Sequence, residues 1–108
     1  MDDYKKLEEL NAYLTKALEL YKQRGSEYAN AYKNYRVALT KKLLLLRDDG
    51  IPVTILGDLA RGDENVAELK RQEIIAESLY KSCQEAINSY KLQIRTLTEQ
   101  MKTEFNNG

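Results

Sequence analysis

The chain has 108 residues, 17 basic and 17 acidic side chains, and neither histidine nor tryptophan. Its length predicts one small domain, and its balanced charge differs from the lysine- and arginine-rich composition of proteins that hold nucleic acid electrostatically. No apolar run approaches the ~20 residues of a membrane-spanning helix, and the first residues lack the basic and then apolar pattern of a secretory signal. Because there is also a single cysteine, we expect a cytoplasmic protein that contacts no membrane.

Residues 3–49 are predicted to form one long helix, since residues 3–48 contain no proline and a single glycine, Gly25, where the helix can bend. Apolar and tyrosine side chains recur along it every seven residues, which is typical of a helix packed within a bundle. The two main rows are Leu7, Leu14, Tyr21, Tyr28, Tyr35 and Lys42, and Leu10, Ala17, Arg24, Ala31, Ala38 and Leu45. A third row beside them holds Leu18, Tyr32, Leu39 and Leu46.

A structured connector is predicted over residues 50–62. Gly50 can adopt the left-handed conformation that ends a helix, and Pro52 prevents the helix from continuing. Thr54 is a candidate cap for a short helical turn that runs to Ala60 and stops at Gly62. The segment has too many apolar residues for a solvated loop, so we expect it to close one end of the core and to contact other proteins. The candidate contact residues are Ile51, Val53, Ile55, Leu56 and Leu59.

A second long helix is predicted over residues 63–105, with Asp63 as its N-cap and with residues 106–108 frayed. Two long helices joined by a short connector must fold back on each other. The predicted fold is therefore all-α: a coiled-coil-like antiparallel hairpin with a short helical connector, forming one domain over residues 1–108. The heptad rows of the second helix are Val66, Glu73, Tyr80, Ile87, Ile94 and Met101, and Leu69, Ala76, Cys83, Tyr90, Leu97 and Glu104.

The hairpin has more apolar residues than one pair of helices can bury. The third row of the first helix is left over, and exposed apolar surface of this kind usually marks an interface. We therefore expect a homodimer that forms a four-helix bundle with two-fold symmetry. The other apolar residues left over are Leu43, Leu44, Ile74 and Ile75.

The residues offer little for catalysis or for binding a cofactor or metal. Without histidine, a metal site would need carboxylates alone, and Cys83 would lack the base of a Cys–His pair. Glu73 falls in an apolar row, and we expect it to pair with a cation such as Lys42, because an unpaired buried charge is costly. The sequence thus predicts a protein that is not an enzyme and needs no cofactor.

One segment of the first helix offers an alternative. Residues 28–47 contain five cations and no acid, and aromatic rings among cations can stack bases of single-stranded nucleic acid. The opposing interpretation is that the tyrosines continue the heptad row into the bundle, and the regular spacing favours it. The candidate nucleic-acid contacts are Tyr28, Tyr32, Lys33, Tyr35, Arg36, Lys41 and Lys42.

A family resemblance covers residues 37–100. It is carried by Gly50-Ile51-Pro52-Val53-Thr54, Asp58-Leu59-Ala60-Arg61-Gly62-Asp63, Val66-Ala67-Glu68-Leu69-Lys70, Ala76-Glu77-Ser78-Leu79-Tyr80-Lys81, Glu85-Ala86-Ile87-Asn88-Ser89-Tyr90-Lys91-Leu92 and Ile94-Arg95. These stretches resemble a group of small uncharacterised helical proteins encoded by tailed phages and prophages of Gram-positive bacteria. The resemblance implies a phage origin and action in the host cytoplasm, and it transfers no catalytic residues.

The sequence thus predicts a phage or prophage interaction protein that acts through protein–protein contacts, with a copy of itself and with an unidentified host or phage protein. The alternative is a single-stranded nucleic-acid-binding accessory protein of phage replication or recombination. Balanced charge and the surplus of apolar rows favour the first of these.

Overall fold

The computed structural model describes residues 2–107, which form an all-α helical hairpin. Helix α1 spans Asp2–Asp48, helix α2 spans Val53–Arg61 and helix α3 spans Glu64–Asn107. No strand occurs in this part of the chain. No helix within it combines the length and the apolar character needed to cross a membrane.

The contacts between α1 and α3 show that the two helices run in opposite directions. Ala17 meets Cys83, Tyr28 meets Glu77 and Lys42 meets Asp63. The residue number on α3 falls as the number on α1 rises, which defines an antiparallel pair. The predicted hairpin with a short helical connector is confirmed.

The helix bounds differ from the predicted ones by one or two residues. The first helix was predicted over 3–49, the connector over 50–62 and the second helix over 63–105, whereas α3 extends to Asn107 and includes residues expected to fray. The other residue expected to fray, Gly108, lies outside the described residues, as does Met1 at the start of the predicted domain.

The C-terminus of α1 is closed by its own backbone. Gly50 has a positive φ of 83°, as predicted, its N–H donates to the carbonyl of Arg47 at 3.0 Å, and the N–H of Ile51 donates to the carbonyl of Leu46 at 3.1 Å. These two bonds form a Schellman motif, which satisfies carbonyls that the helix end leaves open. These hydrogen bonds therefore fix the residue at which α1 ends and the chain turns.

Helix α2 starts differently from the prediction. Pro52, with φ −58° and ψ 140°, occupies the N-cap position without a side-chain cap, and its carbonyl accepts from the N–H of Ile55 at 3.2 Å. The expectation that Thr54 caps this helix is wrong, because the proline ring already sets the backbone that starts the helix and places Thr54 within its first turn. Gly62 is the C-cap, as predicted.

Two glycines in this region are expected to respond in opposite ways to alanine. Gly50→Ala should destabilise the protein by about 1 kcal/mol, because a Cβ is strained at positive φ. Gly57→Ala should stabilise it by about 0.5–1 kcal/mol, since Gly57 lies inside α2. The new Cβ would lie 3.0 Å from the guanidinium of Arg61, a flexible group that can shift. Urea denaturation of both variants measures the two signs, and equal signs would contradict this reading of the glycines.

The start of α3 is capped as predicted. The Asp63 carboxylate accepts from the N–H of Val66 at 3.1 Å, and its other oxygen lies 3.3 Å from the Lys42 ammonium. The pKa of Asp63 is below its ordinary value, mainly because its carboxylate accepts the hydrogen bond from the N–H of Val66. The Lys42 side chain lowers it further. This one side chain therefore both starts α3 and ties it to α1.

The described residues pack as two compact units, where the sequence predicted one domain. The connector unit comprises Arg24–Leu79, and the terminal unit comprises the residues up to Gln23 and from Tyr80 onwards. Each unit has its own buried cluster. The connector-unit cluster consists of Tyr35, Leu39, Ala60 and Val66, with Ala38, Leu43, Leu46 and Leu69 packed on it. The terminal-unit cluster consists of Ala17, Cys83 and Ile87, with Leu14, Tyr21 and Tyr90 packed on it.

The heptad rows of α1 do not stay on one side of the helix. Leu10 is buried, but Leu45, in the same predicted row, is 56% exposed. A straight α-helix drifts by ~20° per heptad, or about 100° between these residues. Leu39 and Leu46 enter the core in its place, so the expectation that their row is left over for an interface is wrong for both, and it is also wrong for Leu43.

Candidate functional site

Helix α2 presents apolar side chains outward from an ordered position. Val53 is 82% exposed, and Ile55 and Leu59, one helical turn apart, are each 46% exposed. These three residues form what we call the tip surface. The other two predicted contact residues, Ile51 and Leu56, are half-buried at its edge.

Ala60 fixes the orientation of the tip surface. This residue is completely buried against the cluster that includes Tyr35 and Val66. At ~100° per residue, Ile55 and Leu59 lie about 140° and about 100° around α2 from Ala60, so both face away from this cluster. Val53 lies on the Ala60 side of α2 and is exposed because it is the first residue of the helix. An apolar surface on a rigid helix can bind a partner without first being ordered, which lowers the entropic cost of association.

A second surface feature of the connector unit is a groove of about 490 Å³ between α1 and the start of α3. Its lining includes five apolar residues: Val37, Ala38, Leu45, Val66 and Leu69. Its polar lining consists of Lys33, Asn34, Lys41, Lys42, Asp63 and Asn65. Asp63, the one acid among these lining residues, is paired with Lys42, so the lining of the groove combines apolar side chains with a net positive charge.

This groove is not evident from the sequence, because it exists only where α1 and α3 meet. One signal was available. Lys33, Val37, Lys41 and Leu45 repeat at intervals of four residues, which places cations and apolar side chains along one face of a helix. Nothing in the sequence showed that Val66 and Leu69 would complete the other wall.

The candidate nucleic-acid residues lie in several different places. Tyr35 belongs to the buried cluster, so its ring is covered, and the hydroxyl of the half-buried Tyr28 donates to Glu77 at 3.3 Å. Three cations reach the groove, namely Lys33, Lys41 and Lys42. The remaining two, Tyr32 and Arg36, are exposed. The three tyrosines therefore do not form one open stacking face.

Glu73 is buried to 5% exposure and pairs with a cation, as expected, although the cation is Lys70 and not Lys42. The Lys70 ammonium lies 3.1 Å from its carboxylate and 4.8 Å from the centre of the Tyr35 ring. Lys42, the example named for this cation, is held instead by Asp63 at the start of α3, and Glu73 lies ten residues, or ~15 Å, further along that helix. The hydrogen bond to Glu73 raises the pKa of Lys70.

The terminal unit contains a tyrosine pair and the single thiol. The Tyr21 and Tyr80 rings stack at 4.7 Å and their hydroxyls lie 2.7 Å apart; this hydrogen bond raises the pKa of Tyr21. Cys83 is buried and its thiol donates to the Ala17 carbonyl at 3.2 Å. Within residues 2–107, no three acidic or cysteine side chains converge as metal ligands would.

No family model matches the chain, and neither a curated protein nor a solved structure is found to match it. The tip surface and the groove, both in the connector unit, are the candidate functional sites.

Proposed function

We propose that this protein is a non-enzymatic helical interaction protein, which acts by binding another protein through the tip surface. The observation that supports the proposal is the ordered, outward display of Ile55 and Leu59 on one side of α2, with Val53 exposed at its start. Solvent-exposed apolar side chains held together on a fixed helix favour burial against a partner. Following the resemblance to phage proteins, we place this action in the cytoplasm of a host bacterium.

The remaining chemistry of the chain agrees with a binding role. The thiol of Cys83 is buried and bonded to a backbone carbonyl, where no substrate reaches it. Glu73, the other candidate reactive group, is held by Lys70. Both groups thus have structural partners, whereas nearly half of the Ile55 and Leu59 surface and most of the Val53 surface are open to solvent.

The test compares two variants with equal changes in charge. Ile55→Asp with Leu59→Asp places two charges on the tip surface, while Thr54→Asp with Arg61→Gln changes the charge equally at exposed polar positions of the same helix. Tagged forms of the wild type and of both variants are used to capture proteins from lysate of a phage-infected Gram-positive bacterium, with and without nuclease. Circular dichroism confirms that each variant is folded.

We expect the wild type and the control to capture the same proteins in the presence of nuclease, and the tip variant to lose at least ~90% of that capture, about the tenfold loss expected for removing one or two buried anchors. Equal capture by the tip variant would refute the proposal. Capture that disappears with nuclease would refute it too, in favour of nucleic-acid binding through the cations of α1.

A further inference from the structure

We propose that the tip surface binds a second copy of this chain, and that the tip of each copy lies in the groove of the other. This inference rests on the proposed function, because it names one partner for the same surface. Both surfaces belong to the connector unit, so their shapes and charges can be compared directly.

The groove has the length and the apolar character that α2 requires. Helix α2 has nine residues and is therefore ~13.5 Å long, while the α1 wall of the groove, from Lys33 to Leu45, extends over ~18 Å. Val37 and Leu45, which line the groove, are exposed in the single chain. Ile55 and Leu59 of a second copy would cover them. Apolar surface on both copies would then be removed from contact with water, which favours association.

The charges of the two surfaces are opposite. Lys33 and Lys41 line the groove within a segment, residues 28–47, that contains no acid. The tip end of the hairpin carries exposed Asp48, Asp49 and Asp58, although Arg61 lies 3.6 Å from Asp58. Residues 48–61 contain three acids and one cation, so this segment is net negative. Opposite charges across an interface favour this docking and oppose groove-to-groove packing.

The placement of both surfaces on one unit favours a closed dimer. In a two-fold dimer each contact between residue i and residue j occurs twice, so the tip of each copy can enter the other copy's groove at once. Such a dimer satisfies both surfaces and leaves none open for further copies. A single strand of nucleic acid fits the groove less well, because no aromatic ring is among its lining residues.

The test uses sedimentation equilibrium of the full chain and two charge-reversed variants. The groove variant is Lys33→Glu with Lys41→Glu, and the tip variant is Asp49→Lys with Asp58→Lys. Each variant places like charges on both surfaces of its own dimer, whereas a mixture pairs a negative groove with a positive tip and a positive groove with a negative tip. A control, Lys91→Glu with Arg95→Glu, makes the same charge change as the groove variant at exposed positions of α3 in the terminal unit.

We expect the wild type and the control to have an apparent mass at sedimentation equilibrium of twice the 12.5 kDa chain mass. Each charge-reversed variant should dimerise at least about tenfold more weakly, and an equal mixture of the two should recover the dimer. Ile55→Asp with Leu59→Asp should be monomeric as well. Added salt should weaken the wild-type dimer by screening the lysine–aspartate contacts.

Three results would overturn the inference: a wild type that stays monomeric, charge-reversed variants that dimerise as the wild type does, or a mixture that recovers nothing. A monomeric wild type that binds a labelled oligonucleotide through Lys33 and Lys41 would assign the groove to nucleic acid instead. The proposed function fails separately, because it requires that Ile55→Asp with Leu59→Asp abolish protein capture from lysate. A monomeric protein whose capture depends on these residues would keep the function and reject the dimer.

Discussion

Ala60→Leu is expected to destabilise the connector unit by about 3 kcal/mol, because Ala60 is completely buried and a larger side chain must displace its neighbours. The neighbours are Tyr35, Leu39 and Val66, which come from the two long helices, so the strain pushes α2 away from both. The free energy of unfolding, measured in urea, gives the magnitude.

The same substitution at an exposed alanine is the control for Ala60. Ala67→Leu adds the same atoms on the solvent side of α3, and it should change the free energy of unfolding by less than about 0.5 kcal/mol. If Ala60→Leu were equally harmless, α2 would not be fixed by this contact, and the tip surface would not be rigid.

Lys70→Met and Glu73→Met are expected to have unequal effects, although they remove the two halves of one ion pair. Lys70→Met leaves the buried Glu73 carboxylate without its cation and removes the contact with the Tyr35 ring. Breaking a fully buried pair costs about 3–5 kcal/mol, and we expect about 1–2 kcal/mol here because water reaches the half-exposed lysine. Glu73→Met removes the buried charge itself and should be neutral or stabilising within about 1 kcal/mol.

The double variant and the pH dependence check this interpretation. Lys70→Met with Glu73→Met should be about as stable as Glu73→Met, since no buried charge is left. The raised pKa of Lys70 means that its stabilisation is complete below the ordinary value of 10.5 and is lost as the pH rises through the raised value. The loss of stability between about pH 10 and pH 12 should therefore be smaller in Lys70→Met than in the wild type. A more costly Glu73→Met would show that Glu73 stabilises the fold.

The hairpin could be predicted from the sequence because its main signals are local. Gly50 followed by Pro52 marks the end of α1, and Asp63 marks the start of α3. The core of α1 was harder to assign, since a seven-residue row drifts around a straight helix. Following Leu10 for five heptads leads to the exposed Leu45, where Leu46 is the core residue. The turn-by-turn spacing of a helix predicts this shift, but a fixed heptad does not.

The two candidate surfaces differed in how far the sequence could reveal them. The tip surface was predicted because Val53, Ile55 and Leu59 are apolar residues in a short segment between two helices. The groove required the pairing of α1 with α3, which no local pattern gives. The partner of Lys42 was missed for the same reason, because the register of the two helices decides that it meets Asp63. The partner of Glu73 is a local one, since Lys70 lies three residues before it on the same helix.

The thiol of Cys83 can be used to measure how often the terminal unit opens. It is the only thiol in the chain, and it lies in the buried cluster of the terminal unit. A disulfide reagent in solution can label it only when that cluster opens, so the labelling rate reports the frequency of local unfolding in the terminal unit. The tip surface and the groove belong to the connector unit. The labelling rate of Cys83 therefore shows whether a substitution in either surface also destabilises the terminal unit, and no further cysteine has to be introduced.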